Sequence, residues 1–503
     1  MALKFTRSFW ILLVIGVALR CVALNQPLVD AHLIRQCQTA AATKSLIDTP
    51  GFHLSSTIPW LGNLDAHYIL ELPVYNYLVM GVWWLTGNLD LSGKVTTILL
   101  WATSLVCLQF IWRRLLDPQP TFWANLLFVV APLSVFYGQA FMPEMLVQAL
   151  AFVFVLLVLR YEENPSLARW SLCAGVGLVG LLVKLPEIAH LYLILAVLVV
   201  WREGWKGLVR PRYLLAAAAT IVALKAWGNY VDSINAAYLP EWTSKENLRL
   251  FIGSWESRFQ LKPWVMAFLY VGAFIVPGPT ALATIYGMSV LRQRNAQKIL
   301  GPWLLALLCY YLLWFGSGPN SQSYYNLPAL APLCALFGIG MASLLEWQKL
   351  RPWRRTGMAV AIVLVVLPAI PAWRYLFTPD RQTLEAALWV RANTNRGDVI
   401  LFRPNHRWDA IDYPNNPALA YYSQRPTFVW TGNTSDNYRR LALERASYAV
   451  VTLGSSPRST GLLKVWRQFR GTNLFQPDAM GWLEENGFQM LTAENGFAVY
   501  RRH

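Results

Sequence analysis

Residues Leu72–Thr86 read LPVYNYLVMGVWWLT, and whether this stretch crosses a bilayer decides the topology of the whole chain. It is apolar and aromatic, but shorter than the ~20 residues a spanning helix needs. Pro73 marks its start. We read it as an interfacial or re-entrant helix that does not cross. Outward from it lie roughly eleven apolar runs near spanning length. They are Phe9–Leu24, Val95–Trp112, Phe122–Tyr137, Met145–Leu159, Trp170–Val183, Ile188–Trp201, Tyr213–Trp227, Val265–Val290, Pro302–Phe315, Leu327–Leu345 and Gly357–Ala372.

Loop charge supports this choice. With the N-terminus (Lys4, Arg7) in the cytoplasm and Leu72–Thr86 not crossing, every second loop falls inside. Those loops hold Arg113 and Arg114; Arg160 and Arg169; Arg202, Lys206, Arg210 and Arg212; Arg292, Arg294 and Lys298; and Lys349, Arg351, Arg354 and Arg355. The short loops at Gly138–Pro143 and Gly316–Asn326 hold no Lys or Arg. A crossing at Leu72–Thr86 would invert the pattern and violate the positive-inside rule.

Composition agrees. The chain has 503 residues, 55% of them hydrophobic and only 14% charged, with a mean hydropathy of +0.36. A soluble chain of this length carries far more charge, so this is a polytopic α-helical membrane protein. The formal charge of +16 does not point to nucleic acid, because the basic residues sit where membrane orientation demands them. No pair among the six Cys has metal-ligand spacing, and the C-terminal region has none, so that region relies on a core rather than disulfides. The N-terminus is basic and then apolar, and we expect a retained anchor rather than a cleaved signal.

The outer side then receives the long first loop Asn25–Gly93, the short loop ending at Glu144, the mixed-charge segment Asn229–Pro263, the SGPNSQSYYN stretch, and everything after about Arg374. The last region alternates in character. Gln382–Ala392 reads as a helix, DVILF and PTFVW as strands, Asn437–Arg445 as a helix, YAVVTL as a strand, GWLEENG as a helix with a glycine stop, and FAVYRR as a final strand. This suits a small α/β domain. The expected division is a membrane domain over 1–374 and an extracytoplasmic α/β domain over 375–503. We find no glycine-rich phosphate loop and no internal repeat.

Residues able to carry chemistry cluster on the outer side, where ionisable groups near lipid usually mark a site. The first loop opens with LVDAHLIRQCQTAAA, Leu28–Ala42. Asp30 at the mouth of a span reads either as a general base or divalent-ion ligand, or as a solvated helix-end residue. Arg35 presents a planar fork suited to phosphate, or snorkels to headgroups. His32 is an interfacial polar residue with no second metal ligand at helical spacing. Glu144 is a second acidic group of the outer face, or a helix start favoured by the dipole behind Pro143. Lys184, in LVKLPEIAH, pairs with Glu187 or meets a lipid phosphate. Arg258 is an outer cation able to hold phosphate, or an ordinary loop charge. Tyr324 and Tyr325 read as interface aromatics. Gln322 and Asn326 could add hydrogen bonds in a sugar or headgroup pocket.

Taken in order, these motifs resemble a family. They are D-x-H-x-x-R-Q-x-x-T (Asp30, His32, Arg35, Gln36, Thr39), then ELPVYNYLVMGVWWLTG, AFMPE, the Lys184–Pro186 turn, and YYNLPALAP. The chain resembles the GT-C superfamily of membrane glycosyltransferases. The branch in view contains bacterial proteins similar to dolichyl-phosphate-mannose protein mannosyltransferases and lipid A aminoarabinose transferase. The resemblance covers about the first three quarters of the chain. It implies an outward active site built from the first loop, a polyprenyl-phosphate sugar as donor, and transfer with inversion to a lipid, glycan or protein acceptor. It implies Asp30 as catalytic base, Glu144 as the second catalytic acidic residue, and Arg35, Lys184 and Arg258 as candidates to neutralise the leaving phosphate. His32, Gln36, Gln322, Tyr324 and Tyr325 join them as substrate-binding candidates. A divalent cation is a candidate cofactor, with no metal ligands assigned. The chain departs from the family at Gln322, where many relatives carry His, at Ile34, where many carry Trp, and at Cys37 and Gln38, where an acidic residue is frequent. The expected location is a bacterial inner membrane, N-terminus cytoplasmic. The competing readings are a lipid or lipid-linked sugar flippase, which would place polar groups near the midplane and show repeats, and a non-catalytic scaffold.

Overall fold

In the computed structural model, residues 5–62, 66–291, 296–314, 322–346, 354–404, 416–430, 436–453 and 479–502 are described. The loop charges Arg292, Arg294, Lys349 and Arg351 lie outside them. The chain divides into two compact units. One is Met1–Leu24 with Ile69–Leu376; the other is Asn25–Tyr68 with Phe377–His503.

The first unit is helical, and proline decides where its helices break. Uninterrupted apolar sequence gives long helices at Leu89–Leu115, capped by the Asn88 side chain, and at Glu144–Glu163 behind Pro143. Proline interrupts elsewhere, because it offers no N–H to the helical ladder and clashes with the preceding turn. Pro132 separates Pro118–Val130 from Pro132–Tyr137. The sequence Pro277-Gly278-Pro279 bends Leu261–Phe274 against Pro279–Val290 by 106°. Six described helical segments are long and apolar enough to cross a membrane, or seven if that bent pair is one span. Several of the expected spans are therefore shorter helices on this measure, such as Arg7–Cys21 and Tyr192–Glu203.

The segment Leu72–Thr86 forms a helix over Val74–Thr86, 13 residues long, about 20 Å at the usual rise. Gly87 ends it with a left-handed φ of 66°. Tyr75 fastens it to the next helix, its hydroxyl donating to the Gly93 carbonyl at 3.1 Å and lying 2.7 Å from Thr97 Oγ1. Where Pro279–Val290 crosses Leu330–Glu346, Gly287 and Gly340 let the backbones meet. A Cβ on either would sit 1.9 Å from a carbonyl oxygen of the other helix.

The second unit carries a five-stranded sheet. Two short strands of the first loop, β1 (Ser56–Thr57) and β2 (His67–Tyr68), pair antiparallel. The sheet follows with β3 (Ile400–Arg403), β4 (Thr427–Val429), β5 (Tyr448–Thr452), β6 (Phe488–Glu494) and β7 (Phe497–Arg502). Its order is β4-β3-β5-β7-β6. The β3–β4 and β3–β5 pairs are parallel; β7 is antiparallel to β5 and β6. Helices at Arg381–Asn393, Asp436–Arg445 and Ala479–Glu485 match the sequence reading, and this is an α/β unit. The helix Ala418–Ser423 and strands β1, β2 and β6 were not expected.

The division at 374/375 left the first loop with the membrane helices, yet Asn25–Tyr68 packs with the C-terminal segment. The physical reason is an edge strand. β4 ends the sheet and exposes a row of backbone groups, which sheets cover where they can. The first loop covers it: Gly62 N donates to Thr427 O at 2.9 Å, Thr427 N to Pro59 O at 3.3 Å, and Leu61 bridges Phe428. Asp380 N to Val29 O at 2.6 Å adds a further backbone bond.

Candidate active site

Lys184 sits where a helix cannot continue. The helix Leu167–Ala189 contains Pro186, and Lys184 takes the non-helical angles φ −157° and ψ 90°. The break turns a lysine inward among carboxylates. Its Nζ lies 2.8 Å from Glu144 Oε1 and 2.8 Å from Glu187 Oε1. Both carboxylate side chains are fully buried, and the lysine side chain is 7% exposed. The same Nζ lies 4.7 Å from the ring centre of Tyr324 and 5.1 Å from that of Tyr325, close enough for cation–π attraction. Gln148 Nε2 reaches Glu187 Oε2 at 3.4 Å. Glu71 is near enough to act electrostatically on Lys184.

The surrounding backbone explains this arrangement. Glu144 is the first residue of its helix, where the free N–H groups favour an acid. Tyr324 and Tyr325 lie on a buried 3₁₀ turn, Ser323–Ala329, that leads into Leu330–Glu346. Tyr310 donates to the Tyr325 carbonyl at 2.8 Å, and Tyr311 to Asn326 Oδ1 at 2.7 Å. Four residues singled out from sequence, Glu144, Lys184, Tyr324 and Tyr325, thus meet in one place. Gln322 precedes the turn as its capping position.

In the second unit, Asp30 is 2% exposed. The Gln36 amide donates to Asp30 Oδ1 at 2.5 Å and to the Ala31 carbonyl at 2.9 Å. His32 starts the helix Leu33–Asp48 from a left-handed conformation, φ 58°, which costs a non-glycine residue about 1–2 kcal/mol. Strain of this kind persists where the surroundings fix it, and here it turns Asp30 back over the first turn to meet Gln36. Arg35 and His32 are half-buried on the same segment.

Arg258 behaves differently. Its Nε donates to Leu312 O at 2.7 Å, Nη1 to Ser254 O at 2.8 Å, and Nη2 to Ile252 O at 2.7 Å and Leu313 O at 3.0 Å. Its guanidinium lies 4.2 Å from the Trp255 ring centre. These contacts tie it to backbone, including the last carbonyls of the helix Gln297–Leu313.

Two acidic groups went unassigned in the sequence. Glu187 was weighed only as a partner of Lys184, and the i,i+3 spacing was its signal. Glu71 stands at the head of the apolar run Leu72–Thr86, where hydropathy hides a single acid. Among the described residues, no group of three or more His, Cys, Asp or Glu is arranged to hold a metal ion. The one buried carboxylate pair of this cluster has the Lys184 ammonium against both members, so its donor set suits an ammonium better than a divalent ion.

No family model matches the chain. In sequence it is similar to the undecaprenyl phosphate-alpha-4-amino-4-deoxy-L-arabinose arabinosyl transferase 2 of Pseudomonas fluorescens, 24% identical over 373 residues, covering 69% of this chain and 66% of the relative. The corresponding arabinosyl transferase of Pseudomonas aeruginosa is 24% identical over 311 residues, covering 60% and 55%. The chain thus spans 66% and 55% of the lengths of these relatives. In structure it is similar to ArnT from Cupriavidus metallidurans bound to undecaprenyl phosphate, with a TM-score of 0.65, 12% identity and 98% of each chain covered. It is also similar to the oligosaccharyltransferase AglB from Archaeoglobus fulgidus, with a TM-score of 0.54, 11% identity, and 99% of this chain and 74% of that one covered. The chain has the membrane fold of the GT-C glycosyltransferases, and in sequence it is similar to their aminoarabinose transferase branch.

Proposed function

We propose that this protein is a membrane glycosyltransferase that moves a sugar from a polyprenyl-phosphate donor to an acceptor on the outer face of a bacterial inner membrane, with inversion. The observation that carries this reading is the buried cluster of Lys184 with Glu144 and Glu187 under Tyr324 and Tyr325, in a fold whose relatives are named for such transfer. A buried ammonium among carboxylates and aromatic faces suits a polar head group beside a leaving phosphate. With Glu71 near, the cluster holds more acid than base, which favours a cationic sugar such as the aminoarabinose named for the relatives.

In this reading the acceptor is deprotonated by Asp30, and its oxygen or nitrogen forms a bond to the anomeric carbon as the bond to phosphate breaks. Gln36 holds Asp30 in one orientation. Within the helical unit, Lys184 is a candidate cation for a polyprenyl phosphate. A carboxylate of ordinary basicity is a weak base, so positioning and charge neutralisation supply most of the acceleration. Arg258 acts as a clasp on backbone. His32, Arg35 and Gln322 remain candidates for donor contact.

The same proposal includes the finer topology: about eleven spans, with the short helices completing them, a cytoplasmic N-terminus and an extracytoplasmic C-terminal domain. The flippase reading has no observation in its favour beyond the membrane helices.

The test is sugar transfer by the purified protein in liposomes with a panel of radiolabelled polyprenyl-phosphate sugars, wild type beside Asp30→Asn. Loss of about 10²–10⁴ in rate with donor binding kept supports Asp30 as base. Transfer that survives moves the base to another acid. No transfer with any donor, together with lipid movement across the bilayer, turns the reading to a flippase.

A further inference from the structure

The first helix carries a cation that the proposed chemistry does not use. Arg20 is fully buried near the end of Arg7–Cys21, and among the described residues no carboxylate pairs with it. Its partners are neutral. Nη1 donates to Gly16 O at 2.8 Å and to Val129 O at 3.4 Å, and Nη2 donates to Ser134 Oγ at 2.9 Å. The guanidinium carbon lies 3.5 Å from the ring centre of Trp101, whose Nε1 donates to the same Ser134 Oγ at 3.0 Å. A buried charge without a counter-charge is costly, and proteins keep one only where it serves something.

One use would be to receive an anionic ligand. The geometry argues against it. Nε is the guanidinium nitrogen without a hydrogen-bond partner, and it lies against Gly138, where a Cβ would fall 2.2 Å away. The ring of Trp101 closes on Gly16 in the same way, 2.1 Å from where a Cβ would be. Two glycines leave room for these two side chains and for nothing more.

What Arg20 does touch is a break. Val129 and Ser134 lie on either side of the Ala131–Pro132 interruption, where proline removes a ladder hydrogen bond and leaves carbonyls without N–H partners. The short helix beyond the break ends at Tyr137. The Tyr137 hydroxyl lies 2.8 Å from Ser323 Oγ, and its ring packs edge-on to Tyr324 at 6.1 Å. Tyr324 and Tyr325 in turn cover Lys184.

We infer that Arg20 is a positioning residue: it staples the Ala131–Pro132 break so that Tyr137 holds the tyrosine pair over Lys184. Its activity arm rests on the glycosyltransferase reading; its structural arm does not.

The experiment compares wild type, Arg20→Met, Arg20→Lys and Ser134→Ala in liposomes. Three quantities are read: thermal unfolding, kcat and donor KM for sugar transfer, and labelling of Lys184 by an acetylating reagent followed by mass spectrometry. Methionine fills the space without the charge, so folding is expected to hold. Labelling of Lys184 should rise several-fold, and kcat/KM should fall roughly tenfold, because the cluster that meets the donor is assembled less often. Arg20→Lys, which keeps donors for Ser134, should recover part of both effects, and Ser134→Ala should lose less than Arg20→Met. If Arg20→Met does not fold, Ser134→Ala and Arg20→Lys carry the same comparison. Unchanged Lys184 labelling in the folded variants overturns the proposal. Activity that falls only in step with the folded fraction also overturns it. Raised labelling in a protein whose wild type transfers no sugar leaves the staple standing and removes the glycosyltransferase reading.

Discussion

Lys184 and Arg258 are both buried cations of the helical unit, and in the sequence both looked like partners for a phosphate. Their surroundings differ in kind. Lys184 stands at a helix break between two buried carboxylates and beneath two tyrosine rings. Arg258 spends its donors on the carbonyls of Ile252, Ser254, Leu312 and Leu313. An ammonium held by carboxylates can take another anion without dismantling any backbone, provided the displaced carboxylate finds a proton or another partner. A guanidinium held by the end of a helix can answer a phosphate only by uncapping that helix. Burial alone therefore does not tell these two cations apart; the charge of their partners does.

The sharpest way to break this comparison is Lys184→Met. It would leave Glu144 and Glu187 buried without their cation, a loss of about 3–5 kcal/mol, with transfer down by at least about 100-fold. Thermal unfolding and the liposome transfer assay read both, and a stable, active variant would remove Lys184 from the site. Lys184→Arg keeps the charge but changes its shape. We expect folded protein, a roughly tenfold loss of transfer and most of that loss in donor KM. Glu187→Gln weakens one of the two holds on Lys184 and makes the exchange with phosphate easier, so donor KM should fall several-fold; a KM that rises would assign Glu187 to the donor itself. Arg258→Met should cost about 2–3 kcal/mol of stability through the abandoned carbonyls, with transfer per folded molecule unchanged. A rise in donor KM there would erase the contrast.

Much of this was legible in the sequence because it is local. The strands Ile400–Arg403 and Tyr448–Thr452 are short apolar runs with buried side chains, and such runs announce themselves. Strand β6 was missed because it is an edge: only Phe488 of its seven residues is buried, so it lacks the alternation that marks a half-buried strand. The spans were harder. Hydropathy reads Phe122–Tyr137 as one apolar run, while Pro132 cuts it in two. The site was legible residue by residue but not as a whole. Glu144 and Lys184 lie 40 positions apart, and no local pattern connects them. For each, the structural reading is the one seen: Glu144 begins a helix, and Lys184 pairs with Glu187.

The unit that holds Asp30 is assembled from two pieces of chain far apart in sequence. Asn25–Tyr68 is completed early, whereas the strands it packs with lie beyond Phe377. Contacts so far apart in sequence form late, because loop closure precedes any gain from pairing. During translation the Asp30 segment waits without β4, and the sheet itself waits for β7, which supplies the neighbour of β5. The surroundings of the Asp30 segment thus depend on the longest-range pairing in its unit, and the order in which the two pieces meet is part of how that segment is built.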